Sequence, residues 1–241
     1  MNRQPKCTIV LVHGAFAGSA TWDGVIEPLL AAGHHVIAAA NPLRGLAADA
    51  HAVTDLVRTV EGPVILVGHS YGGAVISNVD PDAAQIAGLV YVNGFAPDAG
   101  ESVFSLAAAF PGSTFGETLQ PIPRGDGTTD LYIEGRTFHN KFCADLPASQ
   151  AAVLFATQRP VTREALVEPS SEHPSWTRVP SWFLFGEEDR IIATALQHHM
   201  AARAHAQRTI AIEGASHAVA VSRPDATVHP ILEAAALRVA V

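Results

Sequence analysis

The chain has 241 residues, of which 48% are hydrophobic and 16% charged. That suits one folded domain with a large core and excludes a disordered chain. The net charge of -8 speaks against a nucleic-acid partner, because phosphate binding needs clustered Lys and Arg.

The first apolar run, Thr8 to Val12, is too short for a signal peptide and ends in His-Gly. No run reaches the roughly 18 apolar residues of a membrane span. Neither a membrane nor a secretory route is expected, and the location expected is cytoplasmic. The only cysteines, Cys7 and Cys143, fit two reduced thiols. The 12 histidines include no His-Glu-x-x-His run, so no metal is expected.

In chain order, aliphatic runs at 7–12, 35–39, 64–68, 86–92, 181–186 and 208–213 read as strands. Each is nearly continuous in apolar residues, as expected for strands buried on both faces of a parallel sheet. Between them, 22–32, 46–60, 71–79, 193–204 and 224–239 read as helices. This alternation predicts an α/β fold: an open sheet of about six mostly parallel strands with helices on both faces. The interval 96–180 breaks the rhythm. It holds helix-like pieces at 103–110, 147–157 and 162–168, and the Gly/Pro/Thr-rich stretch PIPRGDGTTD. It is read as a helical cap inserted in a core made of 1–95 and 181–241.

Within VILVGHSYGG, Ser70 falls on the turn between a buried strand and a helix. Glycines at 68 and 72 make room for that tight reversal. The hydroxyl is then held at the carboxyl edge of the sheet, where open α/β folds place their sites. A serine needs a base, and the base needs an orienting group. Asp189 follows the fifth strand in FLFGEEDRII, and His217 follows the sixth in IEGASHAVAV. All three emerge at one edge, in the order Ser, Asp, His. The turn after the first strand, HGAF, offers the backbone N–H of Ala15, with that of Phe16 as the alternative, and the helix after Ser70 offers that of Tyr71. These are the candidate oxyanion donors. His13 is read as bonding loop backbone and His69 as packing beside the turn. Phe16, Phe138 and Phe155 are the candidate pocket-lining side chains.

HGAF, GHSYGG, GEEDR and GASH together resemble the signature segments of the α/β-hydrolase superfamily, and HGAFAGSATW is similar to its small esterase and hydroxynitrile-lyase-like branch. The resemblance implies the α/β-hydrolase fold, no cofactor, and Ser-His-Asp chemistry. Hydroxynitrile lyases of this branch carry a lysine after the base histidine. Here that residue is Ala218, which argues against cyanide chemistry. The expected reaction is hydrolysis of a small to medium, largely neutral carboxylic ester or lactone, a small-molecule substrate, through an acyl-enzyme. The alternatives are carbon–carbon bond hydrolysis with the same triad and a non-catalytic ligand-binding member of the fold.

Overall fold

The computed structural model describes residues 7–237. The chain opens with β1 (Thr8–Val12), α1 (Asp23–Ala31), β2 (His35–Ala39), α2 (Leu46–Arg58), β3 (Pro63–His69), α3 (Tyr71–Ser77) and β4 (Gln85–Val92). The inserted segment follows, with α4 (Val103–Ala109), β5 (Leu119–Pro123), β6 (Thr129–Ile133), α5 (Gly135–Phe142), α6 (Ala148–Ala156), β7 (Val161–Thr162) and α7 (Arg163–Val167). The core then resumes with β8 (Ser181–Gly186), α8 (Thr194–Arg203), β9 (Arg208–Ile212), α9 (Val219–Ser222) and α10 (Pro224–Ala236). The helix expected over 224–239 thus matches α10, and its last two residues lie outside the described ones.

The main sheet has the order β2-β1-β3-β4-β8-β9, and every pair in it is parallel. Side chains alternate between two apolar layers, as the strand period requires. Ile9, Leu11, Ile65, Val67, Val90, Trp182 and Leu184 face α1 and α10 through Val25, Leu29 and Ile231. Val10, Val12, Leu66, Leu89, Tyr91 and Phe183 share the other layer with Val53, Val57, Val75 and Met200 of α2, α3 and α8. The central strands are buried along their length, while the edge strands β2 and β9 are half-exposed. Among the described residues no helix is long and apolar enough to cross a membrane.

The inserted segment holds the expected helices and also a three-stranded antiparallel sheet, β5-β6-β7. Its first hairpin is the PIPRGDGTTD stretch. Gly127 adopts φ 85° in the turn, and Arg124 N–H closes it on the Thr128 carbonyl at 2.9 Å. Two prolines hid this strand from a reading by pattern. Pro121 and Pro123 are tolerated because β5 is an edge strand and need not donate to the ladder. Helix α5 also escaped prediction. It opens with glycine and is polar on one side, but Phe138 and Phe142, four residues apart, are both buried.

Candidate active site

Three site residues adopt positive φ without being glycine: Phe16 at 62°, Ser70 at 52° and Asn93 at 43°. They lie just beyond the carboxyl ends of β1, β3 and β4. Such backbone persists only where its surroundings over-determine it. At Ser70 the surroundings are tight. Ser70 N–H donates to the Asn93 carbonyl at 3.1 Å, and the Ser70 carbonyl accepts from Gly73 and Phe95 N–H at 2.9 and 3.0 Å. A Cβ on Gly72 would lie 2.3 Å from the Val12 carbonyl oxygen, and one on Gly68 would lie 2.5 Å from that of Gly72. The glycines around Ser70 are therefore required by backbone crowding, not by unusual dihedrals. Ser70 is buried, and its Oγ has no hydrogen-bond partner among the described residues.

His217 and Asp189 meet as the sequence order suggested. His217 Nδ1 lies 2.8 Å from Asp189 Oδ2, and both side chains are fully buried. Asp189 Oδ1 accepts from Ile191 and Ile192 N–H at 2.8 and 3.0 Å. Four donors thus hold one carboxylate, counting Asn93 Nδ2, which reaches Oδ2 at 2.6 Å. Because the carboxylate can only accept, Nδ1 of His217 carries the proton and Nε2 keeps its lone pair. That Nε2 is buried with no partner among the described residues. Gly186 lets the two loops approach: a Cβ there would lie 2.2 Å from the Ala215 carbonyl oxygen.

His69 sits between the Ser70 turn and the histidine loop. Its Nε2 donates to the His217 carbonyl at 3.0 Å, and the two rings are 4.9 Å apart. Burial, and secondarily the neighbouring His217, push its pKa down to about 3. It stays neutral at ordinary pH and sets no positive charge beside His217.

The loop after β1 packs on Ser70, since a Cβ on Gly14 would lie 2.6 Å from Ser70 Cβ. His13 Nδ1 donates to the Gly14 carbonyl at 2.9 Å, and burial lowers its pKa to about 4. Phe16 N–H donates to the Arg159 carbonyl at 3.1 Å. Ala15 N–H and Tyr71 N–H have no acceptor among the described residues. Tyr71 is also anchored at its far end, where its hydroxyl donates to the fully buried Asp49 at 2.7 Å.

A cavity of about 500 Å³ adjoins the loop, lined by Phe16, Phe142, Val153, Leu154 and Val221 with Ser19, Thr21 and Gln150 among its polar groups. Of the three aromatics expected there, Phe16 lines it. Phe138 and Phe155 stand in a row behind Phe142, with ring centroids 5.1 Å (Phe138 to Phe142) and 5.5 Å (Phe138 to Phe155) apart. Phe142 itself packs edge-on to His217 at 5.0 Å. Sequence reasoning missed Asn93 and Arg159, and it placed Phe142 among the aromatics of the inserted segment without choosing it as lining. Only Asn93 carried a signal, as a polar residue at the carboxyl end of a central strand. Among the described residues no group of three His, Cys, Asp or Glu side chains could hold a metal ion.

Comparison with known proteins agrees with this architecture. The pyrethroid hydrolase of Sphingobium wenxiniae is 27% identical over 90% of this chain and 83% of its own. A carbendazim hydrolyzing esterase of Nocardioides sp. is 37% identical over 40% of this chain, and the match spans less than half, 46%, of that relative. The crystal structure of polyneuridine aldehyde esterase superposes with a TM-score of 0.79 at 18% identity, covering 95% of this chain and 99% of that one, which speaks to the fold alone. The model of the alpha/beta hydrolase family matches residues 9–229, from the first strand of the sheet into its last helix, and the chain belongs to that family.

Proposed function

We propose that the protein is a serine esterase that hydrolyses small to medium, largely neutral carboxylic esters or lactones. The observation that carries the reading is the buried His217–Asp189 pair at 2.8 Å. It leaves an unpartnered Nε2 at the sheet edge where Ser70 occupies its strained turn. The names of two relatives, an esterase and a pyrethroid hydrolase, support hydrolysis of esters.

In this mechanism Ser70 Oγ attacks the ester carbonyl carbon while His217 Nε2 takes its proton. Asp189 keeps the imidazole in the required tautomer and stabilises the imidazolium. The carbonyl oxygen, now negative, is held by Ala15 and Tyr71 N–H. The Tyr71 donor lies at the first turn of α3, whose N–H groups have no intrahelical acceptor. The proton passes from His217 to the departing alkoxide as the carbon–oxygen bond breaks. Water, deprotonated by His217, then attacks the acyl carbon, and the carbon–Oγ bond breaks as His217 returns the proton to Ser70, releasing the acid. The serine–histidine bond forms with substrate bound, since catalytic hydrogen bonds are often loose without it.

The cavity beside Phe16 and Phe142 suits an apolar group with a few polar contacts. It contains one carboxylate, Asp23, and no lysine or arginine, which favours neutral substrates.

The test is intact-mass spectrometry after a reactive fluorophosphonate, on wild type and Ser70→Ala. One adduct on wild type and none on the variant is expected, with ester turnover lost in the variant. Undiminished turnover by folded Ser70→Ala would overturn the proposal.

A further inference from the structure

Arg159 lies between α6 and β7, in the segment inserted in the core, yet it touches the loop after β1 twice. Its carbonyl accepts the Phe16 N–H at 3.1 Å, and its guanidinium Nη1 lies 3.0 Å from His13 Nε2. These contacts flank the Gly14–Ala15 peptide. The contact on His13 is chemically definite. The Gly14 carbonyl can only accept, so His13 Nδ1 holds the proton. A guanidinium can only donate, so Nε2 must be the acceptor. The His13 carbonyl is tied in turn by Asn41 Nδ2 at 2.9 Å. Arg159 is itself on firm ground. The side chain of the preceding Gln158 bonds the Ile133 backbone at 3.0 and 3.3 Å, and the carbonyl of the following Pro160 accepts from Arg44 at 3.1 Å.

Phe16 needs such a tie, because its φ of 62° is uncommon for a bulky residue. Occupying Phe16 N–H also keeps it from competing, so Ala15 presents the N–H without an acceptor. We propose that Arg159 is a positioning residue for the oxyanion donor: by holding Phe16 and His13 together it fixes where the Ala15 N–H points. The inference rests on the esterase reading above. It adds that the inserted segment completes the catalytic machinery as well as lining the cavity.

The experiment compares wild type, Arg159→Met, Arg159→Lys and Ser70→Ala on p-nitrophenyl butyrate, with a trifluoromethyl ketone as the analogue of the tetrahedral intermediate. Methionine keeps an apolar stem beside Gly18, which the arginine Cδ approaches, and removes the donor to His13. For Arg159→Met we expect kcat to fall about 10- to 100-fold while KM stays within about threefold, since a misplaced donor weakens the transition state rather than the ground state. The inhibition constant of the ketone should rise in proportion to the loss in kcat. Arg159→Lys, which restores a cationic donor, should recover part of both. Unchanged kcat and ketone affinity in folded Arg159→Met would overturn the proposal. So would a raised KM at constant kcat, which would make Arg159 a direct substrate contact. If Arg159→Met does not fold, Arg159→Lys and Arg159→Gln are read by the same split, and wild-type kcat in both would refute the clamp. Wild-type turnover by Ser70→Ala would instead remove the esterase reading itself, whatever Arg159 does.

Discussion

Asn93 donates its side-chain amide to Asp189 at 2.6 Å, and it does so on Oδ2, the oxygen that also accepts the hydrogen bond from His217 Nδ1–H. The carboxylate is thereby held in one orientation by β4 on one side and by its own loop on the other. Replacing Asn93 with alanine should lower kcat about tenfold or more, because a buried hydrogen bond to a charged group is worth roughly 1.5–3 kcal/mol. Asn93→Asp should be worse, since it sets a second carboxylate against the first. Steady-state kinetics on folded protein, counted by fluorophosphonate end-point labelling, checks both. Equal kcat in wild type and Asn93→Ala would show that the loop amides of Ile191 and Ile192 suffice.

The glycines at the Ser70 turn should be intolerant for a reason that separates them from other glycines. An alanine Cβ at 72 meets the Val12 carbonyl oxygen at 2.3 Å, and backbone cannot rotate aside as a side chain would. Gly72→Ala should destabilise by at least about 1–3 kcal/mol, the usual cost of overpacking. Gly125→Ala, with nothing within 4 Å of its Cβ, should leave the urea midpoint unchanged. Matched midpoints for the two variants would contradict the crowding.

Acid should unfold the protein from a higher pH than carboxylates alone require. Burial lowers His13 to about 4 and His69 to about 3 from an ordinary 6.5. Between those values and 6.5 the unfolded chain binds protons that the folded one does not. Stability therefore rises with pH across this window and is lost as pH falls below about 6.5. Over its own window His13 contributes on the order of 3 kcal/mol and His69 on the order of 5 kcal/mol. Asp49, whose pKa burial raises, works in the opposite sense and only above the usual carboxylate pKa. Urea midpoints at pH 7.5, 6 and 5 should decline steadily, and the imidazole resonances of His13 and His69 should not titrate above pH 5. Either resonance titrating near 6.5 would refute this account.

Leu154 lines the cavity beside Phe16 from α6. Leu154→Trp should fill part of its volume of about 500 Å³ and select against long acyl or alkoxy groups. The expected result is a drop in kcat/KM for p-nitrophenyl octanoate of about tenfold relative to the acetate, in line with the few kcal/mol that a hydrophobic pocket discriminates. A uniform change across chain lengths would place the substrate elsewhere.

Much of this protein was legible from residue order alone. The central strands announce themselves because burial on both faces demands continuous aliphatic runs, as in Val64 to Val67. The serine turn does so because backbone crowding admits only glycine at 68 and 72. That Ser70, Asp189 and His217 emerge at one edge follows from parallel strands delivering their carboxyl ends to it. What only the tertiary structure decided are the contacts between residues far apart in the chain. Asn93 with Asp189, Arg159 with His13 and Phe142 with His217 join residue types that suit many roles; the place of Asn93 at a strand end is a hint, but no local pattern marks any of the three pairings. The β5–β6 hairpin was hidden for a related reason. Its prolines contradict strand propensity locally, and they are acceptable only because the tertiary arrangement leaves that strand at an edge.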